Sequence, residues 1–247
     1  MSYVEMVIQS TGDLITAATW NRMVGNLVAL QQASLYGWKE DGETWVYASA
    51  NTFTIADVDM TAVYLKGTRI RWKDGGAYKY AVVTDSAFVT DTTVTFTGGA
   101  DYTMANATIT DNYFSYDTAP QDYPSWFAYT PTISGYSANP TDVNYRFKVD
   151  GRTVTLHLDE VTDGTSNDSD RSYTLPITAL VLTNNRWSAV SPLAINNGAT
   201  VLNAVGQILY GAPTLLNCYT TAVGAGWTAT GASKFAGVGF EISYEMA

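Results

Sequence analysis

His157 sits in the segment TVTLHLDEV, where a strand would carry Thr155, His157 and Asp159 on one face. A hydroxyl, an imidazole and a carboxylate in one row are the parts of a nucleophile–base–acid set. The row is out of phase with Val154, Leu156 and Leu158, which read as the core face. His157 is therefore expected to be an ordinary surface residue. Asp159, Glu160, Asp163, Asp168 and Asp170 crowd the stretch that follows. Carboxylates close together in a loop can hold Ca²⁺ through oxygen, and Asp163, Asp168 and Asp170 are the candidates. The run DGTSNDSD lacks the ligand order of an EF-hand, and a polar turn accounts for it equally well. A glycosidase needs two carboxylates about 5–10 Å apart across a sugar-sized cleft, and a small sandwich offers no evident one. P-loop, GxGxxG, HExxH and GxSxG patterns are all missing. Neither an enzyme nor a cofactor is expected.

Recognition is the remaining chemistry. The chain has 17 Tyr, 7 Trp and 8 Phe, and most of these must fill β cores. Tyr136, Trp187 and Trp227 lie instead in turn-rich segments. Aromatic faces beside amides and hydroxyls suit a sugar ring, through stacking plus hydrogen bonds. Asn184, Asn185 and Trp187, adjoining Arg186, are the first choice for a receptor-facing group; Trp227 and Tyr136 follow.

Composition limits the other classes. Hydrophobic residues make up 46% of the 247 and charged residues 15%, so a core is possible under a surface of Ser, Thr, Asn, Gly and Tyr. The net charge of −10 disfavours nucleic-acid binding. With one cysteine, Cys218, and one histidine, no intrachain disulfide or Cys/His zinc cluster can form. No signal peptide is expected, and no apolar run is long enough for membrane insertion.

Among the elements that must position these groups, one stretch stands apart: GDLITAATWNRMVGNLVALQQASLYGW, the one long helix pattern in the chain. Thr16 is a good N-cap and Gly37 a natural stop. Trp20, Met23, Val24, Leu27 and Leu30 fall at steps of three and four, which makes one apolar stripe. Asn21, Arg22, Asn26 and Gln32 take the opposite face. A lone amphipathic helix needs a partner, either a sheet of its own chain or copies of itself at a three-fold axis; self-association is the favoured reading. The seam is only about two heptads long, too short to hold an oligomer alone.

The remaining pattern is β. Residues 1–12 read as an extended arm that either docks elsewhere or adds to a local sheet. Helix is expected over 13–37 and a small antiparallel barrel or sandwich over 38–117. Its hairpins include RIRWK followed by Asp74-Gly75-Gly76. Ile70 and Trp72 point one way there, and Arg69, Arg71 and Lys73 form a solvated face paired with nearby acids. Pro120 and Pro124 make 118–125 a linker. The segment 126–247 alternates through a hairpin at Asp150-Gly151 and later strands, which suggests a jelly-roll-like sandwich.

The order of these parts resembles a tailed-bacteriophage virion protein of the fibre or receptor-binding kind. DLITAATWNRMVGNL resembles the helical anchor and trimerisation segment near the start of many phage fibres. The stretch from Trp45 through VYLKGTRIRWKDGGAYKYAVV and TTVTFTGG to FSYDTAPQDYP resembles a small β module of phage structural proteins. WFAYTPTISGY, GTSNDSDRSYTLP and the final FEISYEMA resemble β-sandwich tip domains. The resemblance implies a homotrimer made in the host cytoplasm and carried on the virion. Its arm and helix would attach to another virion protein, of tail or capsid. Its distal end would recognise a host-surface glycan or protein. A capsid decoration or head fibre, and less readily a glycan-trimming enzyme, are the alternatives.

Overall fold

The computed structural model describes residues 16–161, 164–190, 194–196, 198–201, 204–221, 226–234 and 239–247. It is mainly β with one helix, α1, spanning Ala17–Tyr36. The Thr16 hydroxyl accepts the Thr19 N–H at 3.2 Å, closing the first turn. Gly37 leaves the helix at φ 70°, the left-handed conformation that costs glycine least. The helix thus begins later than residue 13, at its cap. Asn26, assigned to the polar face, is buried.

The first sheet is built from β1 (Lys39–Glu40), β2 (Val46–Ser49), β3 (Thr52–Ile55), β4 (Arg69–Lys73), β5 (Lys79–Phe88), β6 (Thr92–Thr97) and β7 (Thr110–Ser115). Its order is β1-β7-β4-β5-β6-β3-β2, antiparallel throughout, and the sheet curls. Alternation sends Ile70, Trp72, Ala81, Val83, Val94 and Phe96 to one side, where they close on Trp45, Phe53 and Tyr64. Trp45 and Phe53 stack there with centroids 3.9 Å apart.

The hairpin after β4 is pinned by Asp74. Its buried carboxylate accepts Trp72 Nε1–H at 3.1 Å and Ala105 N–H at 2.6 Å, and it pairs with Lys79 Nζ at 2.7 Å. Burial favours the neutral acid, but the Lys79 ammonium and the two N–H donors outweigh it and hold the group below the usual carboxylate range. A depressed folded pKa stabilises the fold fully above the unfolded value of about 3.9, and that contribution fades as pH falls through the folded value. Asp74→Asn should therefore unfold about 1–2 kcal/mol more easily than the parent at pH 7. Urea titrations of the two between pH 6 and 2 should converge as the pH drops below about 4.

The rest of the chain forms β8 (Phe127–Ala128), β9 (Ile133–Ser134), β10 (Tyr136–Ala138), β11 (Val143–Asp150), β12 (Thr153–Glu160), β13 (Gly164–Ser166), β14 (Arg171–Thr174), β15 (Arg186–Val190), β16 (Ala194–Asn196), β17 (Ala199–Val201), β18 (Val205–Leu209), β19 (Ala212–Tyr219), β20 (Gly231–Lys234) and β21 (Phe240–Glu245). A four-stranded sheet, β21-β12-β11-β8, faces a five-stranded one, β15-β18-β19-β14-β9. Phe147, Leu156, Ile242 and Tyr244 from the first share one core with Tyr173, Ile208, Leu216 and Cys218 from the second. Two small sheets, β10-β13-β20 and β16-β17, complete this part. Bulges interrupt several of these pairings.

The two β parts are joined over a packed seam. The far side of the first sheet places Tyr80 and Val82 in the core of the second part, together with Trp38. The cationic face of β4 differs here from the solvated row expected. Arg69 is buried, donates to Val149 O at 3.0 Å and lies over the Tyr123 ring at 5.4 Å. Arg71 sits among Trp38, Tyr78 and Tyr113, at 4.8, 4.6 and 4.4 Å from their centroids. The pairing with acids holds for Lys73, 2.8 Å from Asp111, and for Arg69, 3.8 Å from Asp150. The guanidinium is weakly hydrated and stacks on rings, so arginine is easier to draw into an aromatic seam than lysine. Gly67 meets the hairpin of β11 and β12: a Cβ there would lie 1.9 Å from Gly151 O. The Pro-containing segment is part of the seam, with Trp38 Nε1 donating to Gln121 O and Tyr123 packed beside Phe127.

Candidate functional site

Two sets of residues are candidates for contact with other molecules: the helix stripe and the loops of the second β part. On the helix, Leu27 is 64% exposed and Trp20 56%, and Val24 and Val28 are also exposed. Met23 is half-buried. The side chain of Leu30 lies outside the described residues. Apolar groups of this size on one helix would gain free energy from a partner surface.

The loop residues behave differently. Leu182 to Asn185 form a turn closed by Asn185 N–H to Leu182 O, with Asn184 at φ 62°. Asn tolerates this left-handed position better than other residues with side chains. Asn185 Oδ1 accepts the Arg186 N–H at 2.8 Å. Both amides remain exposed, though each has a structural use. Trp187, the first-choice aromatic, is half-buried against the core and donates Nε1–H to Leu180 O at 2.8 Å.

Tyr136 and Trp227, expected at the surface, are buried. Their rings lie 4.7 and 5.1 Å from the guanidinium carbon of Arg171, itself 1% exposed. A desolvated guanidinium is costly, and the two π faces supply part of what water would give. Arg171 NH1 reaches Gly135 O and Asp168 O at 3.4 and 3.3 Å. Nearby, buried Glu160 accepts the hydroxyls of Tyr145 at 2.6 Å and Tyr173 at 2.8 Å. Burial, together with that carboxylate's charge, pushes both phenols well above their ordinary value, so they stay protonated as donors. Cys218 is buried too, and burial raises its thiol far above the reactive range. This polar cluster inside the sandwich is closed to solvent, a packing device rather than a reactive centre.

The other chemistry-bearing residues take separate partners. His157 Nδ1 lies 3.1 Å from Glu241 Oε1. The Thr155 hydroxyl instead bonds the Ser243 hydroxyl at 3.0 Å, and Asp159 accepts the Gly239 N–H at 3.2 Å. The row of Thr155, His157 and Asp159 is therefore not wired as a catalytic set. Asp168 accepts the Asp170 N–H at 3.2 Å and the Ser169 hydroxyl at 3.4 Å. Those donors, the Asp170 N–H first, hold its carboxyl below the ordinary range, as in a polar turn. Asp163 lies outside the described residues, and among the described residues no group of three His, Cys, Asp or Glu could hold a metal. A cleft of about 290 Å³ is lined by Thr97, Gly99, Ala100, Tyr129, Thr130, Thr174, Leu175 and Pro176, with no carboxylate among them. Among the described residues no helix is long and apolar enough to cross a membrane.

No protein-family model matches the chain, and neither a curated protein nor a solved structure does.

Proposed function

We propose that the chain is a structural and adhesive subunit of a tailed-phage particle. Three copies associate through the helix and the β parts, the N-terminal arm and helix dock on another virion protein, and the jelly-roll-like second part meets a host-surface glycan. The observation that carries this reading is the exposed stripe of Trp20, Val24, Leu27 and Val28. The β parts behind it have closed cores of their own, so the stripe is left for another molecule. A second copy offers the same stripe in the same geometry, which a closed symmetric assembly uses most economically. The resemblance of the helix and the order of the β modules to phage fibres supports the same reading.

The second reading, a capsid decoration or head fibre, has an observation of its own. Tyr136 and Trp227 are buried, and Trp187 and Asn185 are partly occupied by the fold. Electron microscopy of particles labelled with an antibody to the chain separates the readings. Label on tail fibres supports the adhesive role, label over the capsid supports decoration, and particles free of label sink both.

A further inference from the structure

The geometry points to a binding site for an anionic group, phosphate or carboxylate, on the outer face of the four-stranded sheet, centred on Trp126, Arg146 and Lys148. This inference goes deeper into the adhesive reading, on which it rests, and names the ligand chemistry.

β11 alternates. Tyr145, Phe147 and Val149 enter the core, while Asn144, Arg146, Lys148 and Asp150 face out. Pairing of Phe147 with Phe127 and of Arg146 with Ala128 brings Trp126 to the edge of the same face. The Arg146 guanidinium carbon lies 4.9 Å from the Trp126 ring centroid and the Lys148 ammonium 4.7 Å. Two positive charges thus crowd one indole. The ring attracts each of them, but they repel one another, and no acid separates them.

The carboxylates of this face are already committed. Glu241 lies against His157, Glu245 against Arg152, Asp150 faces Arg69, and Asp159 accepts the Gly239 N–H. Neither Arg146 nor Lys148 has an ion pair or hydrogen bond to a described residue, and Arg146 Nε is shut off from water with no acceptor. Five other described cations differ: Lys66, Arg69, Lys73, Lys79 and Arg152 each face an acid. A pair of cations left without acids beside a half-buried tryptophan suits an anionic group carried on a sugar or polyol. The charges take the anion and the indole takes the ring or chain. The net charge of −10 repels anions at long range, so binding here would report a local site rather than bulk attraction.

The test uses the full chain at 150 mM salt. Titrate it with poly(glycerol phosphate), polygalacturonate and neutral dextran, reading tryptophan fluorescence and calorimetric heat. Binding of either anionic polymer but not dextran is expected, and the preferred polymer tells phosphate from carboxylate. The double variant Arg146→Gln, Lys148→Gln should weaken that binding at least tenfold with an unchanged melting temperature, because both side chains face outward. Equal binding by the double variant, or no binding of either anionic polymer to the parent, overturns the site. Adsorption to susceptible cells is scored in parallel. Cells that take up parent and double variant alike contradict this site and leave the adhesive reading standing; cells that take up neither chain contradict both.

Discussion

Glu160→Ala should cost about 3–5 kcal/mol of folding stability, because it strips the acceptor from two buried phenols at once. The Glu160 carboxylate takes the hydroxyls of both Tyr145 and Tyr173, one from each of the facing sheets. Each phenol left unsatisfied costs about 1–3 kcal/mol, and the lost side chain leaves space besides. Glu160→Gln keeps a carbonyl oxygen of the same reach and should lose less than half as much. Urea denaturation of the two variants beside the parent checks this. Equal losses would mean that side-chain volume, rather than the shared acceptor, holds the sheets at this point.

Leu27→Asp should break the association of copies while both β parts remain folded. Leu27 stands in the middle of the exposed stripe, and the cores lie elsewhere. Burying a carboxylate at each copy's seam should cost about 3 kcal/mol or more, at least about a hundredfold in association. The expected result is a lower mass by light scattering at the concentration where the parent is assembled, with an unchanged far-ultraviolet spectrum of the β parts. An assembled variant would show that the stripe is not the contact between copies.

These two residues also show where sequence reasoning works and where it fails. The helix was legible because its signals are local: Thr16 caps it, Gly37 ends it, and the stripe repeats at helical spacing. Glu160 shows the opposite: its acidic neighbours suggest a loop, yet it lies buried at the end of β12. It continues the inward phase of Val154, Leu156 and Leu158, and that phase puts it in the core. The burial of Arg69 carried no such signal. Alternation separates it correctly from Ile70 and Trp72, but only the approach of the second β part decides that both faces of β4 are covered. The turn-rich surroundings of Tyr136 and Trp227 suggest surface residues, yet both are buried. Their buried partner, Arg171, comes from a different strand, and no local pattern announces a cation held between two distant rings. The Trp126 group follows the same rule. Outward phase places Arg146 and Lys148 together, whereas the pairing of β8 with β11 that delivers Trp126 is a tertiary fact.

Sedimentation equilibrium of the purified full chain at micromolar concentration tests the proposed assembly most directly. The account predicts a single species of three times the 26.8 kDa chain mass. A clean monomer at that concentration would contradict it.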